Sequence, residues 1–144
     1  EGWLHAKKLD MRPGHPCGHL AKDGCSIYPD RPEEPCVRFV CGWLQDAETY
    51  PDEMRPDRSG VIMLTDRKWH NWNVIRAVPA GQNVPEDTIG FLRELAAQKG
   101  LPVLFYERLV TDGEFTGRKR FAFGSRRFAE AVKYAIEPED VLKM

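Results

Sequence analysis

The spacing of hydrophobic and polar positions changes near residue 60, after which apolar runs recur with the lengths of regular elements. Residues 61–64 and 72–78 are two such runs, rich in β-branched and aromatic side chains. A polar stretch around His70 separates them. Short apolar runs bounded by polar residues in this way predict two antiparallel strands joined by a hairpin loop.

A helix is predicted next, over residues 85–99. Pro85 and the two acids that follow it are typical of a helix start, and Gly100 is typical of a helix end. Between them, Ile89, Leu92 and Leu95 keep an apolar stripe at helical spacing.

Two more strands and a last helix complete the second half of the chain. Strands are predicted over residues 103–110 and 118–123, on either side of Asp112-Gly113, which is a strong hairpin signal. Ser125 is placed to cap a helix whose apolar face continues to Ile136, before Pro138. The order of elements is therefore ββαββα. It predicts an α+β fold in which an antiparallel sheet carries helices on one face.

The first part of the chain is less regular. Residues 1–14 predict a short helical or extended piece ended by a turn at Pro13-Gly14, and residues 17–35 are rich in turn residues and predict a loop. A short helix is expected over 36–45, followed by an acidic, proline-bearing connector across the surface, residues 46–60. We expect a cysteine-rich metal-binding lobe over 1–58 and an α+β lobe over 59–144, packed together as one compact domain.

Composition places the chain among globular proteins. It has 144 residues, 42% hydrophobic and 30% charged, and a formal net charge of −1. That charge does not indicate a general attraction to nucleic acid or to anionic membranes. The sequence has neither the roughly 18–20-residue apolar run of a membrane span nor a secretory leader, which predicts a cytoplasmic protein without a membrane partner.

All four cysteines fall in residues 15–44, here called the cysteine segment: Cys17, Cys25, Cys36 and Cys41. Reducing compartments keep thiols free, and four thiolates match the number and softness of ligands that a structural zinc ion prefers. The spacing, C-x7-C-x10-C-x4-C, differs from the paired C-x2-C of zinc ribbons. His15 and His19 are alternative ligands. Two disulfides, an iron–sulfur cluster, or thiols that simply pack in the core remain open from the residues alone.

The cysteine segment also carries a family resemblance. Its residues read, in order, Cys17, Gly24-Cys25-Ser26-Ile27-Tyr28, Arg31-Pro32, Cys36, Phe39, Cys41 and Trp43-Leu44. This run resembles the signature of the YkgJ-like cysteine-cluster family, whose cysteines are taken to chelate zinc or iron. The resemblance implies that the four cysteines are metal ligands, and it covers about a third of the chain.

One feature departs from that family. Its members usually have a further cysteine cluster ahead of the first spaced cysteine, and here no cysteine precedes Cys17. If such a cluster precedes Glu1 in a longer chain, more thiolates are available, which strengthens the case for an iron–sulfur cluster and weakens that for a closed four-cysteine zinc site.

Other residues permit rival functions. Arg31 could donate hydrogen bonds to the cysteine sulfurs, or it could tie the loop through backbone carbonyls, which we favour. A basic strand and helix start, residues 118–127, alternates with phenylalanines and could bind nucleic acid or an acidic partner, but a half-buried strand alternates in the same way. His70 could serve a thiol- or metal-dependent redox enzyme, together with His15 or His19, although a surface histidine between tryptophans is the simpler interpretation. No catalytic residue is predicted.

Overall fold

A computed structural model of the protein describes residues 6–12 and 15–135. The predicted turn at Pro13-Gly14, the residues before Ala6 and the predicted helix end at 136–138 lie outside the described residues. The strands are β1 (Leu20–Ala21), β2 (Gly24–Cys25), β3 (Val61–Trp69), β4 (Trp72–Pro79), β5 (Val103–Thr111) and β6 (Glu114–Phe123). The helices are α1 (Gly42–Gln45), α2 (Pro56–Ser59), α3 (Glu86–Lys99) and α4 (Arg126–Tyr134).

The main sheet has four strands in the order β3-β4-β5-β6. The α+β class and the ββαββα order of the second half are confirmed. The pairs β3–β4 and β5–β6 are antiparallel, but the central pair is parallel, with Ile75 opposite Val103 and Ala77 opposite Phe105. The reason is that α3 carries the chain back along the sheet before β5 begins, as a crossover between parallel strands does. The sheet is therefore mixed and not wholly antiparallel.

The two long helices cover opposite faces of this sheet, which corrects the prediction that helices lie on one face. Residues 103–106 of β5 are all buried, and their side chains alternate between two clusters. Phe105 packs in a cluster with Leu92 of α3, whereas Leu104 packs in a cluster with Phe128 of α4. A strand that buries four consecutive residues requires cover on both of its faces.

The β3–β4 hairpin is tighter than its pattern predicts. Strand β3 continues through the polar residues to Trp69, which pairs with Trp72 across a turn of two residues, His70 and Asn71. The register shifts between Leu64 and Arg67, so the strand carries a bulge there. Polar residues on an exposed part of an edge strand do not mark its end.

The connector contributes to the core, contrary to the expectation that it only crosses the surface. Tyr50 and Met54 are 1% and 3% exposed and pack with Val61 and Met63 of β3. Isolated apolar residues in a polar stretch have no periodicity, so their burial is not apparent from the pattern. The predicted domain boundary at residue 58 stays a prediction.

The described helices also bear on membrane association. Within residues 6–12 and 15–135, no helix combines the length and the apolar character needed to cross a bilayer.

Candidate metal centre

The first two cysteines share one small hairpin. Strands β1 and β2 pair with Leu20 opposite Cys25. At the open end of this hairpin, the amide of Leu20 donates to the carbonyl of Cys17 at 3.0 Å, and the amide of Ser26 donates to the carbonyl of His19 at 2.8 Å. Cys17 is half-buried and Cys25 is exposed. Backbone hydrogen bonds therefore hold the main chain near Cys17 beside the main chain that follows Cys25.

The third cysteine lies in a wide turn over Glu33–Val37. The amide of Arg38 donates a hydrogen bond to the carbonyl of Glu33 at 2.9 Å and so closes this turn. The guanidinium of Arg38 contacts the carboxylates of Glu33 and Glu34. These ion pairs are solvent-exposed, and pairs of that kind contribute little to stability. Cys36 itself is half-buried.

The fourth cysteine is the buried one. Cys41 is 6% exposed and directly precedes α1, and its carbonyl accepts hydrogen bonds from the amides of Leu44 and Gln45, both at 3.1 Å. A Cβ atom placed at the next residue, Gly42, would lie 3.0 Å from the Met63 Cβ and from a ring carbon of Tyr50. Cys41 is thus attached to the core of the sheet through a tight backbone contact.

All four cysteines are free thiols. Among residues 6–12 and 15–135, the structure brings no three or more His, Cys, Asp or Glu side chains into an arrangement that could hold a metal ion. The donor chemistry suits zinc or an iron–sulfur cluster, since thiolates are common ligands of structural zinc ions and hold the irons of such clusters. The burial of Cys41 also suits the alternative in which this thiol packs as a small hydrophobic residue. The four-cysteine ligand set stays a prediction.

The two histidines of the segment lie at its exposed edge. The Nε2 of His15 is 3.3 Å from a carboxylate oxygen of Asp10, and His19 is exposed. The contact with Asp10 orients the imidazole of His15 toward the residues that precede the segment. Either histidine as a replacement ligand stays a prediction.

Arg31 ties the loop together, as we favoured from its sequence. Its guanidinium donates to the backbone carbonyl of Tyr28 at 2.6 Å and lies 3.9 Å from the centre of the Tyr28 ring. One side chain thereby fixes both the main chain and the ring of a residue three positions earlier. This combination of hydrogen bond and cation–π contact is a local structural role.

The phenylalanines of the basic strand face inward. Phe121 and Phe123 pack against the cluster on the α3 face, and Phe121 stacks on Phe105 with ring centres 4.7 Å apart. The alternation along β6 therefore follows from a half-buried strand.

Two arginines lie beside one tyrosine ring on the sheet. The guanidinium of Arg118 lies 4.6 Å from the centre of the Tyr106 ring, and that of Arg76 lies 5.3 Å from it. The sequence did not predict that Arg76 would lie beside this basic surface, because only the pairing of β4 with β5 brings it next to Tyr106. Binding of nucleic acid or an acidic partner stays a prediction.

His70 is an exposed turn residue. Its ring contacts Trp69 edge to face, with centres 4.5 Å apart, and both Trp69 and Trp72 pack against Phe128. The tryptophans therefore serve the core on the α4 face, and the histidine lies outside it, as the simpler interpretation expects.

Comparison with models of protein families, with curated proteins and with solved structures yields no match to this chain. The resemblance of the cysteine segment to the YkgJ-like family accordingly stays a prediction based on the residues quoted above.

Proposed function

We propose that the protein binds a zinc or iron ion, or an iron–sulfur cluster, through its four clustered cysteines. The observation that carries the proposal is that the segment holding all of the thiols contains almost no buried residue. Every cysteine of the chain lies in the cysteine segment, and no residue from 15 to 40 is buried. A segment that buries so little side-chain surface gains little to offset the conformational entropy lost on ordering. Metal–thiolate bonds would supply that free energy.

Exposed apolar side chains support the same proposal. Several large hydrophobic residues of the segment are 40–64% exposed: Leu20, Tyr28, Val37, Phe39, Val40 and Leu44. Drawing the cysteine sulfurs together around an ion would bring these side chains toward one another, and their burial would add to the free energy of metal binding. Metal binding and ordering of the segment are then one coupled process.

We infer a role for the centre that is structural, or electron-carrying if the metal is iron. The cysteines would act as thiolates, so binding would release protons and strengthen as the pH rises. Free thiols of this kind persist in reducing compartments, which fits a cytoplasmic location.

Metal analysis of the purified protein tests the proposal. We expect one zinc per chain in a colourless protein, or iron with acid-labile sulfide in a brown one. Cys25→Ser is the sharpest variant, because this cysteine is exposed and its loss does not disturb packing. It should weaken zinc affinity at least about tenfold, since losing even a group that only orients a metal ligand typically costs about ten- to a hundredfold.

Ser26→Ala is the matched control. Ser26 neighbours Cys25 and is also exposed, and its backbone hydrogen bond to His19 does not depend on its side chain. This variant should retain full metal content. Unchanged metal content in a protein lacking all four thiols would contradict the proposal.

A further inference from the structure

A cleft of about 720 Å³ lies between the connector, the bulged part of β3, the start of β4 and the end of α3. Its volume falls within the roughly 300–1,000 Å³ of small-molecule sites. None of the four cysteines, all of which are described, lines it. A ligand in this cleft would therefore make no contact with the four cysteines of the proposed metal centre.

Tyr50 gives the cleft a buried polar group. The side chain lines the cleft and is 1% exposed, and its hydroxyl meets no hydrogen-bonding partner among the described residues. Burial, with the nearby carboxylates of Asp46 and Asp66, raises the pKa of Tyr50 to about 12. The hydroxyl therefore keeps its proton at neutral pH and can donate. Buried polar groups are normally hydrogen-bonded, so this donor points to an acceptor from outside the chain.

The charged residues around the cleft carry both signs. Asp46 and Asp66 are the acids, and the bases are Arg67, Lys68 and Lys99. Hydrogen bonding to the side chain of Thr49, and then to its amide at 3.1 Å, lowers the pKa of Asp46 and fixes the orientation of its carboxylate. A ligand with a single charge would meet repulsion from one set of these residues. A ligand with an ammonium and a carboxylate would satisfy both sets.

We propose that this cleft binds a small zwitterion of the amino-acid or short-peptide class. A carbonyl oxygen of the ligand accepts a hydrogen bond from the Tyr50 hydroxyl. Its ammonium group lies toward Asp66 and its carboxylate toward Lys68 or Lys99, while buried Ile75, which packs on the same face of the sheet as Tyr50, supplies an apolar part of the lining.

Three matched compounds test the proposal by amide NMR titration of the full chain. Glycylglycine carries both charges, acetylglycine lacks the ammonium and glycinamide lacks the carboxylate. We expect glycylglycine to shift amides at residues 46–50 and 65–68, and each analogue to bind at least roughly threefold more weakly. Equal binding by an analogue, or shifts only outside the cleft, would overturn the proposal.

Tyr50→Phe tests the donor, since it removes the hydroxyl and keeps the ring. Glycylglycine should bind this variant roughly five- to tenfold more weakly. Tyr28→Phe, at a tyrosine that is 60% exposed, is the matched control and should bind as the parent does. If Tyr50→Phe does not fold, Lys99→Gln on the exposed rim replaces it and should also weaken binding. Unchanged affinity in the folded variant would refute the assignment.

Discussion

The cysteine segment and the four-stranded sheet obtain their order from different sources. In the sheet, residues 103–106 are buried on both faces, and Phe105 lies between α3 and stacked Phe121. In the segment, no residue from 15 to 40 is buried, and the order comes from turns, a hairpin of two-residue strands and Arg31. Apolar packing therefore orders the sheet, whereas backbone hydrogen bonds and the contacts of Arg31 order the cysteine segment.

The largest expected effect lies in the sheet. Phe105→Ala should lower the free energy of unfolding by about 3–5 kcal/mol, because it leaves a cavity in the core between the sheet and α3. Phe39→Ala, at a residue of the segment that is 40% exposed, should cost less than about 1 kcal/mol. Chemical denaturation measures both. Similar losses of stability at the two positions would show that apolar packing also holds the cysteine segment, contrary to this expectation.

Zinc should act on the segment alone. At a free concentration one hundred times its Kd, the ion should stabilise the folded protein by about 2.7 kcal/mol. Hydrogen exchange followed by mass spectrometry should show slower exchange in peptides from residues 15–40 and little change in β4 and β5. The same protection in Cys25→Ser would argue that the ion binds elsewhere.

The smallest effect concerns Tyr50, where the two regions meet. Tyr50→Phe should raise the free energy of unfolding by about 1 kcal/mol at neutral pH, because it removes a buried hydroxyl that meets no partner among the described residues. Thermal unfolding without ligand measures this change. A loss of stability would mean that the hydroxyl is satisfied in solution.

Tyr50 also makes the stability of the folded protein depend on pH. The pKa of Tyr50 is raised from an ordinary value of 10.0 to about 12, chiefly by burial. The folded state therefore loses stability as the pH rises from about 10 through about 12, because the unfolded chain releases the proton first, and this loss is absent below about pH 10. Over that range the parent protein should lose stability more steeply than Tyr50→Phe. Parallel alkaline unfolding curves would contradict the shift.

Local sequence signals predicted the elements of the sheet region well. The Asp112-Gly113 turn joins β5 and β6 with both residues at positive φ, and α3 ends at Gly100 with a φ of 62°. These features depend on backbone preferences of one or two residues. The parallel pairing of β4 with β5 and the opposite positions of the helices depend on contacts far apart in sequence. The unbroken apolar run at 103–106 was the available signal for cover on both faces.

The candidate sites were predictable only as residue types. The identity of the four thiols came from the sequence, but their placement depends on turns that hydrophobic periodicity does not encode. The cleft was not predicted, because its lining comes from the connector, a strand bulge and a helix end. Tyr50 carries no sequence signal for burial, since its neighbours in the connector are polar.

The close approach at Gly42 has a practical consequence for mutagenesis. Any side chain at this position would push against Met63 and Tyr50, and the backbone that would have to move includes Cys41. A scan that replaces residues one at a time and scores only retained metal would therefore rank position 42 beside the thiols, although glycine has no donor atom in its side chain. Distinguishing such a false positive from the loss of a proposed ligand requires spectroscopy that detects sulfur–metal bonds directly.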